Sequence, residues 1–426
     1  MQKVGIDELD DLLHNQLQAT DETLAEWESD KYLADGQTVA EFWRYIQNAP
    51  FIIIIGDYDV DGKCAEYILL KSIKSVYPNK KVRVRTPRRF SEGYGINEII
   101  ADEIIRDIPK ESLVITVDNG LAASSVLNKI KMAGFNVIVT DHHRLKDNME
   151  LPEVDMIINP MITRIINPLQ GDYWCGTGVV YKLCEQIVDT ATRNEIMVYT
   201  GLATLADSMP LREGNWGLVR SVLKSFRDGN APKALKDLLD NMGRDSLLVN
   251  EDSFNYYLGP AINAPGRLLD NGTVKVSKYM YQPSIEGCTE LIEINNERKT
   301  IRDEELKELI EYIETHNIDK LCPIWVKING LHEGIIGILA GKIAEKYKKP
   351  AIILTNTKEG YLKGSGRSIG NFDLFEYLMG IPKECFIKLG GHTGAAGMTL
   401  TEEGFEQARM YQVSEENINV EDDGII

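Results

Sequence analysis

Residues 51–62, Phe-Ile-Ile-Ile-Ile-Gly-Asp-Tyr-Asp-Val-Asp-Gly, constrain the fold more than any other stretch. The apolar run Phe51 to Ile55, rich in β-branched residues, predicts a strand buried on both faces. It stops at Gly56, and Asp57, Asp59 and Asp61 follow at every second position. Carboxylates this close repel one another. A divalent cation relieves the repulsion, and hard oxygen ligands suit Mg²⁺ or Mn²⁺. A solvated acidic turn is the alternative. An EF-hand loop does not fit: with Asp57 as its first position, the place of the bidentate Glu is taken by Ile68.

The pattern then recurs. Leu113 to Val117 is an apolar run ending in Asp118-Asn119-Gly120, and Asn136 to Thr140 is another ending in Asp141-His142-His143. Helical patterns lie near 96–106 and 121–133, and one begins at Lys63. Val82 to Arg85 and Asp155 to Ile158 predict two further strands. Alternating strand and helix implies a parallel sheet with covered faces and a site at the carboxyl ends of its strands. Any one acidic strand end would pass for a turn, but their recurrence points to a metal site. Imidazole among carboxylates shifts the preference towards Mn²⁺, and so many carboxylates argue against structural zinc. Such a donor set suffices for two ions about 3.5–4 Å apart, the arrangement used in phosphoester hydrolysis. Asp207, after the small apolar stretch Gly201 to Ala206, is read as a further carboxylate for the ions, against a lone surface Asp.

The remaining segments are individually weaker signals. Thr86 to Gly95 is a loop with Arg88, Arg89, two aromatics and two glycines, suited to phosphate and base stacking or merely to a charged surface. Cys175-Gly176-Thr177-Gly178 leads a helix whose glycines are expected to pack against the sheet, or else to approach a ligand. Residues 259–267 read as a loop ending in Arg267, placed to fork onto a phosphate. Residues 285–316 read as a long charged helix with an apolar stripe of Leu291, Ile294, Ile301, Leu309 and Ile313. A second α/β segment follows, with strands at 323–326 and 351–354 and a helix after His332-Glu333-Gly334 that presents Gly334, Gly337 and Gly341. Two glycine-bearing loops are expected there, Lys363 to Ser368 and Gly390 to Gly397, the latter carrying His392. Residues 1–50 are expected to be helical, with Leu12, Leu13, Leu17, Leu24 and Trp27 on one packed face.

A chain of 426 residues is long enough for two or three domains. The formal charge of −18 means that any grip on nucleic acid must be local or carried by metal ions. No apolar run approaches the roughly 18 residues of a membrane span, and the N-terminus lacks a signal-peptide core. Scattered cysteines without a CxxC pair fit a reducing cytoplasm.

Taken together, Gly56–Gly62, Val117–Gly120, Asp141-His142-His143, Ala206-Asp207 and Gly390-Gly391-His392 resemble the DHH/DHHA1 phosphoesterases. The segments 90–96, 263–267, 332–337 and 365–368 resemble those of RecJ-type single-strand-specific exonucleases, and the likeness spans roughly residues 50–400. It implies an α/β fold: a parallel-sheet DHH domain joined by a long helix to a smaller α/β DHHA1 domain. The expected limits are 1–284 for the catalytic domain with its N-terminal helices and connector, 285–318 for the linking helix, 319–412 for the DHHA1 domain and 413–426 for a disordered acidic tail. It further implies that Asp59, Asp61, Asp118, His142 and Asp207 hold two Mn²⁺ ions, or Mg²⁺, with Asp57 close by and Asp118 as the bridge. His143 would face the scissile phosphate, making Asp118, His142 and His143 the catalytic set. Arg89, Asn263, Arg267, Ser365, Arg367, Ser368, Gly391 and His392 would hold substrate phosphates.

The implied reaction is 5′→3′ degradation of single-stranded DNA to 5′-mononucleotides in recombination or repair, with a helicase or single-strand-binding protein as partner. Two departures stand out. Ile55 occupies a position that is His in many DHH proteins. The chain also ends soon after the Gly-Gly-His segment, where RecJ proteins continue into an OB-fold, so a catalytic core without that OB-fold is expected. Alternatives are a nanoRNase- or pAp-phosphatase-like hydrolase of short oligonucleotides, and a Cdc45-like non-catalytic scaffold, which predicts decayed ligands. A soluble pyrophosphatase would need neither the long helix nor the arginine loops.

Overall fold

A computed structural model describes residues 33–144, 150–162, 169, 173–414 and 418. The apolar positions expected between Leu12 and Trp27, and nearly all of the acidic tail, lie outside these residues. The chain divides into two compact units after Asn295.

In the first unit, β1 (Ile52–Ile55), β2 (Val82–Arg85), β3 (Leu113–Val117), β4 (Asn136–Thr140) and β5 (Met156–Ile158) form a sheet in the order β2-β1-β3-β4-β5. Every neighbouring pair is parallel, with Ile52 opposite both Val82 and Leu113. All of β1 and β3 is buried, which explains their unbroken apolar sequences. Ile52 and Ile54 pack into one core, and Ile53 and Ile55 into another on the opposite face. Each such side chain contributes roughly 1.5–3 kcal/mol by leaving water.

The first core also takes in α1 (Gly36–Asn48), α2 (Val60–Val76), α5 (Gly176–Cys184) and α6 (Thr190–Ala206). The second is covered by α3 (Glu98–Asp107) and α4 (Ser124–Met132). Because β1, β3 and β4 are adjacent and parallel, Asp57, Asp118 and Asp141 all emerge at one edge. Helices α7 (Gly214–Arg227), α8 (Lys233–Asn241), α9 (Gly259–Leu268) and α10 (Gly272–Tyr281) follow, then α11 (Ile285–Thr315), within which the boundary between the units falls.

Helix α9 corrects an expectation, since residues 259–267 read as a loop. Pro260 lies in the first turn, where its missing N–H costs little, and a π-helical turn at Phe254–Leu258 runs straight into the helix. Burial of Ala261, Ile262, Ala264 and Pro265 then outweighs poor local propensity.

The second unit holds β6 (Ile324–Lys327), α12 (Ile336–Tyr347), β7 (Ala351–Asn356), β8 (Leu362–Arg367), α13 (Leu374–Met379), β9 (Phe386–His392), β10 (Ala395–Leu400) and α14 (Glu402–Ala408). Its sheet runs β6-β7-β8-β10-β9, parallel only between β6 and β7. Both expected glycine loops prove to be strands: Lys363–Arg367 belongs to β8, and Gly390–Gly397 forms the end of the β9–β10 hairpin. The β8 glycines serve close packing rather than turning. A Cβ at Gly364 would lie 2.8 Å from Met398, and one at Gly366 the same distance from Leu374.

Candidate metal centre

The centre begins with the turn from β1 into α2. Asp59 caps α2, its side chain accepting the Gly62 N–H at 3.0 Å, and Asp61 sits in the first helical turn. The acidic stretch is therefore half loop and half helix. Asp61 is tied to a second helix: its two oxygens accept the Gly176 and Thr177 N–H groups at 2.7 Å each, at the start of α5. The positive end of α5 thus stabilises the Asp61 carboxylate. Gly176 also allows Asp118 to approach, since a Cβ there would fall 2.5 Å from that of Asp118. Asp118 itself has φ +58°, a left-handed conformation that Asp tolerates better than most residues.

Among the described residues, three groups of donor atoms result, each within 4.8 Å: Asp57, Asp59 and Asp118; Asp118, His142 and His143; and Asp61, His142 and Asp207. Asp118 and His142 each belong to two groups, so the three interlock. His142 Nε2 lies 3.3 Å from Asp118 Oδ1, 3.6 Å from Asp61 Oδ2 and 3.7 Å from Asp207 Oδ2. Both oxygens of Asp57 and Oδ1 of Asp118 are buried without a hydrogen-bond partner among the described residues. Orphaned buried carboxylate oxygens are costly, and a cation among them satisfies all three. The residues present therefore fit a divalent metal.

The electrostatics agree. Burial, reinforced by neighbouring carboxylates, raises the pKa of Asp57, Asp59 and Asp118. Burial and the charges of Asp61 and Asp59 push Asp207 up to about 8. Burial lowers His142 in spite of the carboxylates around it, favouring the neutral imidazole that ligates metals. Burial opposes the His143 cation as well, but the hydrogen bond and charge of Asp141 push that group up to about 9.

Asp141 was absent from the candidate residues. It accepts the Leu121 N–H, the His142 and His143 N–H groups and His143 Nδ1, the last at 2.7 Å. Its place in the Asp-His-His triplet was the available signal. Asn119 was likewise missed: it is buried, donates to the Ile55 and Val117 carbonyls and accepts the Ile96 N–H.

Beside these donor groups, Tyr94 OH lies 3.5 Å from His143 Nε2, and the Tyr94 ring meets Tyr58 edge to face at 5.9 Å. Arg89 places its guanidinium 4.4 Å over the Tyr58 ring. Asp270 holds the Arg89 loop by accepting the Phe90 and Ser91 N–H groups. Helix α9, which carries Asn263 and Arg267, packs on the acidic turn, so that a Cβ at Gly266 would stand 3.0 Å from the Tyr58 carbonyl. The Arg267 charge acts on Asp59 and Tyr58.

The other candidates lie in the second unit. Ala395 of β10 pairs with Arg367 on one side and His392 on the other, placing the two in one row across three strands. Alternation along β8 puts Lys363, Ser365 and Arg367 on its half-exposed face. Gly337 and Gly341 of α12 open space there: a Cβ at Gly337 would lie 3.0 Å from Ser365 Oγ, and one at Gly341 3.9 Å from Arg367 Cγ. Gly334 precedes α12 rather than joining its packing face. Ser368 donates its hydroxyl to the Phe372 carbonyl, and Gly391 pairs with Ala396.

Comparison with known proteins extends this picture. The DHH family N-terminal domain matches residues 51–206, and the DHHA1 domain matches 323–416. The single-stranded-DNA-specific exonuclease RecJ of Bacillus subtilis is 32% identical over 379 residues, covering 87% of this chain and 46% of the relative. The protein of the same name from Escherichia coli is 30% identical over 384 residues, covering 83% and 64%. The chain thus spans about half to two thirds of the length of these relatives. A crystal structure of exonuclease RecJ bound to manganese shares the fold with a TM-score of 0.69 at 23% identity, over 88% of this chain and 92% of that one. RecJ from Thermus thermophilus in complex with Mn²⁺ gives 0.73 at 21% identity, over 94% and 60%. Along the chain, a stretch similar to the DHH family N-terminal domain is thus followed by one similar to the DHHA1 domain.

Proposed function

We propose that this chain is a metal-dependent phosphodiesterase that removes 5′-mononucleotides from the 5′ end of single-stranded DNA, in recombination or repair. The interlocking carboxylate and imidazole groups, with three buried oxygens lacking partners, carry the proposal. The names of the relatives support the substrate class. Asp57, Asp59, Asp61, Asp118, His142 and Asp207 would hold two Mn²⁺ ions, or Mg²⁺. When bound, such ions lower the pKa of water and neutralise charge on the phosphate.

The protein's own groups have separate tasks. His143, kept cationic by Asp141, donates its Nε2 proton to a phosphate oxygen. The His142 ring, held neutral, would offer a lone pair to a bound ion. Arg89, Asn263 and Arg267 take up substrate phosphates in the first unit, and Ser365, Arg367, Ser368, Gly391 and His392 do so in the second. Local cations of this kind suit a chain of net charge −18. A helicase or single-strand-binding protein would supply the strand.

The net acidity also favours a second reading, hydrolysis of short oligonucleotides, because long strands bring more phosphates to be repelled. One assay separates the two. Single strands labelled at the 5′ or 3′ end, a duplex and a dinucleotide are incubated with Mn²⁺, with Asp59→Ala as control. Mononucleotide release from the 5′ end supports the proposal, activity confined to the dinucleotide supports the second reading, and no metal-dependent hydrolysis refutes both.

A further inference from the structure

A buried ion pair stands behind the acidic turn. Lys63 and Glu66, on the first turns of α2, are 1% and 2% exposed and are bonded to each other. Such a pair is not explained by stability, because apolar residues of similar volume serve a core as well or better. Its other contacts offer an explanation. Thr86, immediately after β2, donates its hydroxyl to Glu66 Oε1 at 2.6 Å and accepts from Lys63 Nζ at 2.8 Å. The Glu66 side chain also packs directly against Gly56, immediately after β1. A Cβ at Gly56 would fall 2.4 Å from Glu66 Cγ, so the contact excludes any larger residue.

Glu66 therefore joins two strand ends. Gly56 begins the turn bearing Asp57, Asp59 and Asp61, and Thr86 begins the loop bearing Arg89. The loop is fixed at its other end by Asp270 and by Arg85, which pairs with Glu92 at 2.7 Å. We infer that Glu66, neutralised by Lys63, is a positioning residue that sets the place of the metal-binding turn and its spacing from the Arg89 loop. The inference rests on reading those aspartates as metal ligands. The carboxylate is needed for its geometry, since one planar group with two oxygens reaches Gly56, Thr86 and Lys63 together. The ammonium is needed because an unpaired carboxylate at that depth would take up a proton: burial already raises its pKa despite the Lys63 charge.

The test compares two neutral replacements. Lys63→Met with Glu66→Gln keeps a carbonyl acceptor for Thr86 and a planar group against Gly56. Lys63→Met with Glu66→Leu removes it while keeping the volume apolar. Both are checked for folding by Tm and titrated with Mn²⁺ without substrate. The Gln pair should bind Mn²⁺ within about twofold of wild type, and the Leu pair about 10–100-fold more weakly, the usual range for groups that orient ligands. Equal affinities in two folded variants overturn the inference, whereas a wild-type chain that binds no Mn²⁺ refutes the metal reading beneath it. Thr86→Val is a third probe that leaves the ion pair in place. It should raise KM for single-stranded DNA severalfold with kcat and Mn²⁺ affinity unchanged. An unchanged KM overturns the link to the Arg89 loop, and this arm decides the matter should the Leu pair fail to fold.

Discussion

Asp141 Oδ1 lies 2.7 Å from His143 Nδ1 and also accepts the His143 backbone N–H. One buried carboxylate thus fixes both the position and the charge of the neighbouring imidazole, turning its Nε2 towards Tyr94. Asp141→Asn keeps the shape but removes the charge. We expect kcat to fall by about 10–100-fold. The alkaline limb attributable to the His143 cation, near 9 in the wild type, should move towards the ordinary histidine value of about 6.5. A kcat–pH profile of the two proteins checks this, and an unshifted limb contradicts it.

The approach of α5 to Asp118 predicts a sharp response to one methyl group. Gly176→Ala places a Cβ 2.5 Å from that of Asp118, and the nearest atoms are the Asp118 side chain and backbone. Overpacking of this kind costs about 1–3 kcal/mol. Thermal unfolding should show the loss, and Mn²⁺ titration should show weaker binding. Gly36→Ala, whose Cβ meets nothing within 4 Å, is the control that should change neither.

The carboxylate cluster makes metal-free stability depend on pH. Asp207 has its pKa raised from the ordinary 3.8 to about 8 in the folded chain. The folded state therefore holds a proton that the unfolded state has released, and stability falls as pH rises between those values. With chelator present, Tm should be lower at pH 9 than at pH 6. Added Mn²⁺ should raise Tm more at pH 9, where fewer protons must be displaced. The reverse order would contradict the account.

In the second unit, Arg367 and His392 flank Ala395 in one row. Arg367→Ala should raise KM for single-stranded DNA about tenfold or more, the cost of losing a charge-assisted hydrogen bond. Arg367→Lys should rescue little, because a point charge does not replace the guanidinium fork. The Mn²⁺ affinity should stay at the wild-type value in both. A metal titration beside the kinetics tests the separation.

Much of this was legible in the sequence. The strands Leu113–Val117 and Asn136–Thr140 have the limits expected, because parallel strands buried on both faces leave unbroken apolar runs between turn residues, and the edge strand Val82–Arg85 shows instead as an alternation of Val and Arg. The same logic placed Asp57, Asp118 and Asp141 on one edge. The glycine segment of β8 misled, since local preference says turn while its neighbours Met398 and Leu374 require residues without a side chain, and in the β9–β10 hairpin the turn shrinks to Thr393-Gly394. Helix α9 was hidden by its prolines for a related reason: the surroundings, not the segment, decide its state. Lys63–Glu66 and the α5 N-terminus on Asp61 were also invisible. Their partners are brought together only by the fold, with Asp61 and Gly176 far apart in the chain.

The most direct test is a Mn²⁺ titration of the wild-type chain and of Asp118→Asn, followed by calorimetry. Asp118 belongs to two of the three donor groups and carries a buried oxygen with no hydrogen-bond partner. The account predicts two ions bound by the wild type and tight binding of neither by the variant. A wild type that binds none, or a variant that still binds both with unchanged affinity, would contradict it.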